Sequence, residues 1–354
     1  MAGHDSTPVF VTGGTGLIGI NLVRRLVGQG QAVRLLVRPQ SQRIGLDLDA
    51  IEFITGDVTD IDSLRRGMEG CKSVYHLAGW LQITAWGGAT ATRVNVGGTE
   101  NICRVACEQG VDRLVHTSSI AAVGHGSLDA PATEESAWNL GHLKAPYYDT
   151  KRRGEEVVRR YIENGLDAVI VNPAYVVGPY DVKPSGGRVI IQIATRRLLG
   201  VPSRGGICFV DVREVVDGML AAMERGVCGE RYILGNENIT YRDYARRVAG
   251  IAGVEPPRWA MPYWLLLPAA VAATAIGWFN PKPFADANLT VLRTGFCEHF
   301  LSGEKARREL GVSPRPIDTA IADAIAWFAE NGYLVRSADG WRSTPLHGAL
   351  RNPG

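Results

Sequence analysis

The chain has 354 residues, 45% of them hydrophobic and 21% charged, with 38 Lys and Arg against 36 Asp and Glu for a formal net charge of +2. That length and apolar content exclude a disordered segment or a disulfide-stapled miniprotein, because a large core offsets ordering entropy without cross-links. The near-balanced charge and the lack of a long basic run exclude nucleic acid as the expected partner.

From Pro8, short β-branched runs alternate with longer amphipathic stretches, the pattern of parallel strands joined by crossover helices. Strands are expected at 9–12, 33–37, 51–55, 73–77, 113–117 and 168–171, and helices at 17–28, 61–68, 92–109 and 147–163. After Pro173 the rhythm breaks at Gly178-Pro179, Pro184 and Gly186-Gly187. A first domain is therefore assigned to 1–177, a second lobe to 178–335 and a loose tail to 336–354. Runs at 209–212 and 231–234 read as strands returning to the first sheet. The stretch 240–330 reads as mostly helical, with a cap at Thr240.

Cys71, Cys103, Cys107, Cys208, Cys228 and Cys297 form no CxxC pair and read as reduced thiols. Cys103 and Cys107 share a helix face without His or Cys partners nearby, so no metal site is expected. Met1–Pro8 has no basic segment followed by an apolar one, and a cytoplasmic protein is expected. The 23 residues 259–281 carry no charge. Pro262 and Pro268 interrupt them, so they read first as a buried helix or pocket wall, second as peripheral membrane contact and last as a span.

The first strand runs into Thr12-Gly13-Gly14-Thr15-Gly16-Leu17-Ile18-Gly19, a glycine spacing set between a strand and a helix. In that context Gly13 permits a tight turn, Gly16 lets a pyrophosphate approach the backbone, and Gly19 lets the helix pack closely. The helix N-terminus then offers N–H groups and positive potential to the anion. Arg38 stands nineteen residues past Gly19, where an NAD site usually carries a carboxylate for the ribose 2′-hydroxyl. A guanidinium suits a 2′-phosphate, so NADP(H) is favoured over NAD(H), with Ser41 and Arg43 as helpers. Asp57-Val58 follows the third strand, where a carboxylate meets an adenine amino group or caps the loop. The fold class is α/β: a Rossmann-type doubly wound parallel sheet with a smaller, mostly helical C-terminal substrate lobe.

Tyr147 and Lys151 lie one helical turn apart after Pro146, so they project together. A phenol of pKa about 10 is a poor base at neutral pH, but a neighbouring ammonium favours phenolate. Tyr148 is the rival, with Arg152 as its neighbour. Thr117-Ser118-Ser119 ends the fifth strand at the same sheet edge, and Ser119 is the residue expected to hold a substrate oxygen. A Ser-His-Asp hydrolase is disfavoured because no GxSxG elbow surrounds these serines. Trp80, Leu81 and Trp86 suggest an apolar substrate.

Taken in order, TGGTGLIG at 12–19, GDVTD at 56–60, HLAG at 76–79, NVGGT at 95–99, HTSSIAAVG at 116–124, YYDTK at 147–151 and VNPAYVVGP at 171–179 resemble the extended short-chain dehydrogenase/reductase superfamily over residues 8–330. Within it the chain looks like the branch of dihydroflavonol 4-reductases, 3β-hydroxysteroid dehydrogenases and hopanoid-associated sugar epimerase-like proteins. The resemblance implies a triad at Ser119, Tyr147 and Lys151, and a proton path supported by Asn95. It also implies a cofactor wall at Leu77, Ala78 and Gly79, a turn beside the nicotinamide at Asn172-Pro173, and a homodimer through 92–109 and 147–163. Arg38 and the approach Gly205-Gly206-Ile207-Cys208, which lacks an arginine for a sugar-nucleotide diphosphate, depart from the nucleotide-sugar epimerases. The expected activity is hydride transfer between nicotinamide and a carbonyl or secondary alcohol of a small apolar substrate. An NAD-retaining nucleotide-sugar epimerase or dehydratase is the alternative.

Overall fold

Pleating sorts the side chains of the early strands to two sides of one sheet. In β1 (Val9–Thr12), Phe10 enters one core while Val9 and Val11 enter the other. Val74 and Tyr75 of β4 (Ser73–His76) divide in the same way, as do Leu114 and Val115 of β5 (Arg113–Thr117). A sheet apolar on both faces must be covered on both.

The computed structural model describes residues 7–46, 48–280, 282–285, 287–337 and 340–344. Its first part runs β1, α1 (Leu17–Gly28), β2 (Val33–Val37), β3 (Ile51–Thr55), α2 (Ile61–Met68), β4, α3 (Gly88–Ala91), α4 (Gly98–Glu108), β5, α5 (Pro146–Glu163) and β6 (Ala168–Pro173). The second runs β7 (Tyr175–Val177), α6 (Gly187–Ala194), β8 (Gly200–Pro202), β9 (Gly206–Asp211), α7 (Val212–Arg225), β10 (Arg231–Leu234), β11 (Glu237–Thr240) and α8 (Tyr241–Ala252). After these come β12 (Trp259–Met261), α9 (Tyr263–Gly277), α10 (Leu289–Gly295), β13 (Glu298–His299), α11 (Glu304–Leu310), α12 (Ile317–Glu330), β14 (Leu334–Ser337) and β15 (Gly340–Ser343).

The main sheet is parallel in the order β10-β6-β5-β4-β1-β2-β3. Helices α2, α4 and α5 cover the Phe10 face, and α1 and α7 the other. This is the doubly wound Rossmann-type arrangement, and its helical C-terminal region packs beyond it. The helix expected at 92–109 is instead α3, a π-helical stretch Thr92–Gly97 and then α4. Thr240 caps α8 by accepting from Asp243 N at 3.1 Å.

Three expectations need correcting. Of the two returning strands, 231–234 does join the main sheet beside β6, but 209–212 does not. Phe209–Asp211 belong to β9, which pairs with β7, β11 and β13 in a second sheet, and Val212 already starts α7. The loose tail from 336 is partly ordered: β14 and β15 form an antiparallel hairpin anchored by Trp341 Nε1 donating to Ala252 O at 2.9 Å. Residues 345–354 lie outside the described residues. Finally, 259–281 is not a buried helix. Only Ala270, Ala273 and Gly277 of α9 are buried, because theirs is the face that packs on α10 and the Trp86 loop. No helix among the described residues is long and apolar enough to cross a membrane.

Helix α1 sits tightly on the turn that precedes it. A Cβ at Gly19 would stand 2.3 Å from Gly13 O and 2.5 Å from Gly14 Cα, both backbone atoms that cannot step aside. Gly19→Ala is expected to cost about 1–3 kcal/mol of stability. Denaturant unfolding would read this as a lowered midpoint at unchanged m-value.

Candidate active site

The carboxyl ends of β1, β4 and β5 converge on one edge. Gly13 turns at φ +74°, and a Cβ there would strike Ala78 N at 2.5 Å, so the β1 and β4 ends approach backbone to backbone. Leu77 N donates to Thr12 O at 3.1 Å and Ala78 N to Thr12 Oγ1 at 3.3 Å, which fixes the Leu77-Ala78-Gly79 wall. Beyond it lies the start of α1. A Cβ on Gly16 would meet only Gly13 O, at 3.5 Å, and the first turn, with Leu17 and Ile18, carries no acidic residue. Open backbone beside unpartnered N-terminal N–H groups is the cradle a dinucleotide pyrophosphate requires, and Thr15 is half-buried at its rim.

Arg38 is exposed immediately after β2. Ser41 N donates to Arg38 O at 2.9 Å, which turns the chain beside it, and the Arg43 guanidinium lies 4.1 Å from the centre of the Phe53 ring. Asp57 takes the capping role, its Oδ1 accepting from Thr59 N at 2.9 Å and Thr59 Oγ1 at 2.7 Å. Val58 is buried and its carbonyl accepts from Asn101.

On the other side of the edge, Pro146 opens α5 at a position where a missing N–H costs nothing. The phenol of the next residue, Tyr147, lies next to the Ser119 hydroxyl, which accepts from Ala121 N at 3.2 Å. Tyr148 turns away: it is buried and stacks on His299 with centroids 6.0 Å apart. Ser118 likewise points inward. Lys151 is buried and donates to Thr117 O at 3.0 Å, and its Nζ lies 3.3 Å from where a Gly79 Cβ would sit. Desolvation pushes its pKa from 10.5 down to about 8, with the Glu155 charge opposing.

The expected acidification of Tyr147 by Lys151 is not what the structure holds. Burial raises the phenol, Ser119 partly offsets this, and the ammonium is directed at a backbone carbonyl instead. Asn95 is also committed. From the π-helical turn, its Oδ1 accepts from Trp80 N at 2.7 Å and its Nδ2 donates to Trp80 O and to Thr150 Oγ1. Its carbonyl accepts from Thr99 Oγ1, whose oxygen also meets His76 Nε2 at 3.2 Å.

A model of the NAD dependent epimerase/dehydratase family matches residues 9–235. The chain belongs to that family. It is 36% identical to the Sterol demethylase protein B of Methylococcus capsulatus over 92% of this chain and 99% of the relative. It is 31% identical to the 4-hydroxy-2-methyl-3-oxo-4-farnesyl-3,4-dihydroquinoline-1-oxide ketoreductase of Stigmatella aurantiaca over 89% and 95%. The crystal structure of gox2253 superposes with a TM-score of 0.81 at 36% identity, covering 92% of this chain and 99% of that one. Like its relatives, this epimerase/dehydratase family member is an NAD(P)-dependent oxidoreductase acting on CH–OH or carbonyl groups.

Sequence reasoning passed over one residue at this family member's site. Glu155 is buried, one turn beyond Lys151 on α5. It accepts from Asn172 Nδ2 at 2.6 Å and faces Arg231 NH1 at 3.5 Å. Asn172 is itself fully buried in β6 and spends its second N–H on Ser119 O, at 2.9 Å. Asn172 thus braces Ser119 from behind, while Pro173 ends β6 opposite Leu234. The spacing Tyr147, Lys151, Glu155 was visible as three residues on one helix face; that the face is buried was not.

Lys151 is cationic below pH 8 and loses its proton as pH rises through about 8, so a step needing the ammonium falls away on the alkaline side. Glu155→Gln keeps an acceptor for Asn172 but removes the charge that favours the ammonium. The alkaline limb of kcat/KM is expected to move to lower pH, and an unmoved limb would assign Glu155 to structure alone.

Proposed function

We propose that the protein is an NADPH-dependent reductase of a carbonyl on a small apolar substrate, with Ser119, Tyr147 and Lys151 at the reacting centre. The observation that carries this reading is the placing of the Tyr147 phenol next to the Ser119 hydroxyl and of buried Lys151 one helical turn on, at the same sheet edge as the open glycine turn.

When bound, the nicotinamide supplies or takes up a hydride at the reacting carbon. Ser119 holds the substrate oxygen, braced by Asn172 at its carbonyl. Tyr147 gives that oxygen a proton as negative charge develops on it; a phenol raised by burial stays protonated at neutral pH and is suited to donate. Lys151 contributes positive potential next to Gly79 and a donor to a ribose hydroxyl. Gly13, Gly16, Gly19, Leu17 and Ile18 cradle the pyrophosphate, and exposed Arg38 suits a 2′-phosphate. An apolar substrate is supported by half-buried Trp80 and Trp86 and by the farnesylated quinoline oxide named for the Stigmatella relative. A substrate of that kind partitions into lipid, so the reading includes contact with a membrane surface through 259–281. A homodimer through α4 and α5 rests on the family resemblance.

The second reading, a nucleotide-sugar epimerase or dehydratase retaining NAD, is favoured by the family description. Denaturing the purified protein separates the two: stoichiometric released NAD supports the second, and an empty protein that prefers NADPH to NADH supports the first.

Tyr147→Phe should lower kcat for carbonyl reduction by about 10²–10⁴-fold, the usual weight of a positioned proton donor, with NADPH binding by fluorescence titration unchanged. Arg38→Asp should shift the NADPH-to-NADH affinity ratio by about ten- to a hundredfold toward NADH, as expected for losing charged hydrogen bonds. An unchanged ratio would refute the cofactor assignment.

A further inference from the structure

Helix α9 is apolar on the side that faces out. Its buried positions, Ala270, Ala273 and Gly277, follow helical spacing. The opposite positions, Trp264, Leu265, Pro268, Ala272 and Ile276, are exposed and continue into exposed Trp278 and Phe279. Trp264 is 71% exposed and Phe279 93%, far beyond what a scattered surface residue explains. Tryptophans stand at both ends of the helix, the position these amphipathic rings take at a membrane interface. The length of α9 does not cross a bilayer, so its outer face fits one lying flat against it.

Charge identifies the occupant. Strand β12 pairs in parallel with β8, which brings exposed Leu199 and Trp259 together at the start of α9. Arg196, Arg197 and Arg204 flank β8 and are exposed. Beside them, Arg242, Arg246 and Arg258 line an open groove of about 430 Å³ with Glu255, Pro256 and Pro257. The carboxylates within this rim are fewer: Glu255 pairs with Arg258 at 2.9 Å and Asp243 with Arg246 at 3.0 Å. An apolar face edged by excess arginine complements anionic headgroups over acyl chains. A second copy of the chain meeting this face across a twofold axis would set arginines against arginines.

The other side of α9 connects to the site. A Cβ on Gly277 would lie 2.4 Å from the Trp86 ring, so the helix rests on the loop that runs from Trp80, bonded to Asn95. Asn288, which caps α10, reaches the same loop by donating to Ile83 O at 3.4 Å.

We propose that α9 and the arginine rim of β8 and β12 seat the protein on an anionic bilayer surface, with the helix in the headgroup boundary and the arginines on the headgroups. This deepens the proposed function, since it rests on an apolar substrate held in that lipid. Its test reads binding of the intact protein without substrate, so a failed carbonyl assay and a failed docking are separate results.

The probes are vesicles of phosphatidylcholine alone and of phosphatidylcholine with phosphatidylglycerol in equal parts, followed by co-sedimentation. Binding to the anionic vesicles is expected to exceed that to the neutral ones by roughly tenfold or more and to weaken with added salt. Trp264→Ser with Phe279→Ser should reduce binding about tenfold or more. Both residues are exposed, so the variant's Tm and the wild-type Tm should agree. Arg196→Gln with Arg258→Gln should erase the preference for anionic vesicles and leave the weaker neutral binding. The proposal is overturned if the wild type stays in the supernatant with both vesicles, or if the Trp264 and Phe279 variant binds like the wild type. It is overturned in favour of a second copy if a wild-type dimer disappears in that variant while vesicle binding is absent.

Discussion

Lys151 puts an ammonium inside the fold at the carboxyl edge of the main sheet, and the groups around it make that charge tolerable. Its proton is directed at the Thr117 carbonyl, and a buried carboxylate lies one helical turn away at Glu155. Desolvation still wins over that carboxylate, which is why the amine is held near 8. Glu155 in turn is bonded by Asn172, and Asn172 bonds Ser119. A charge on α5, a strand residue on β6 and the Ser119 carbonyl just beyond β5 are therefore linked through side-chain bonds.

The imidazoles behind this unit are kept neutral. His76 is fully enclosed, bridges Thr12 Oγ1 at 2.8 Å and Thr99 Oγ1, and has its pKa pushed down to about 3 by burial, with the Lys151 charge adding to the effect. His116 lies 5.3 Å from it, centroid to centroid, and burial lowers it well below its ordinary value. Two protonated rings here would repel each other and the ammonium. Neutrality lets the sheet hold polar side chains close behind the reacting edge without adding positive charge. The same burial keeps the Tyr147 phenol protonated, so one cause accounts for the state of all these groups.

The chain beyond β6 serves two layers. Helix α7 and strand β10 complete the main sheet and its cover, while β9 and its partners form a second sheet. Arg231 on β10 reaches both Glu155 and the Glu134 carbonyl, so the last strand of the main sheet ties the lysine's neighbour to the loop between β5 and α5. Helix α9, by contrast, is held on one side only.

The order of strands and helices through β6, the glycine turn, and the placing of Tyr147 and Lys151 on one helix face could be deduced from residue order, because each depends on local periodicity or on neighbours one helical turn apart. Period-two and period-3.6 burial patterns and glycine spacing are short-range properties. What only the tertiary structure decided involves partners distant along the chain. Glu155 becomes significant through Asn172 and Arg231, β9 goes to a second sheet because β11 and β13 pair with it, and Trp341 anchors a hairpin through Ala252. An apolar run such as 259–281 satisfies burial in a core and exposure to lipid equally well. Which face meets protein is set by what packs against it, and here the face of Ala270, Ala273 and Gly277 does so while Trp264, Leu265 and Ile276 stay exposed.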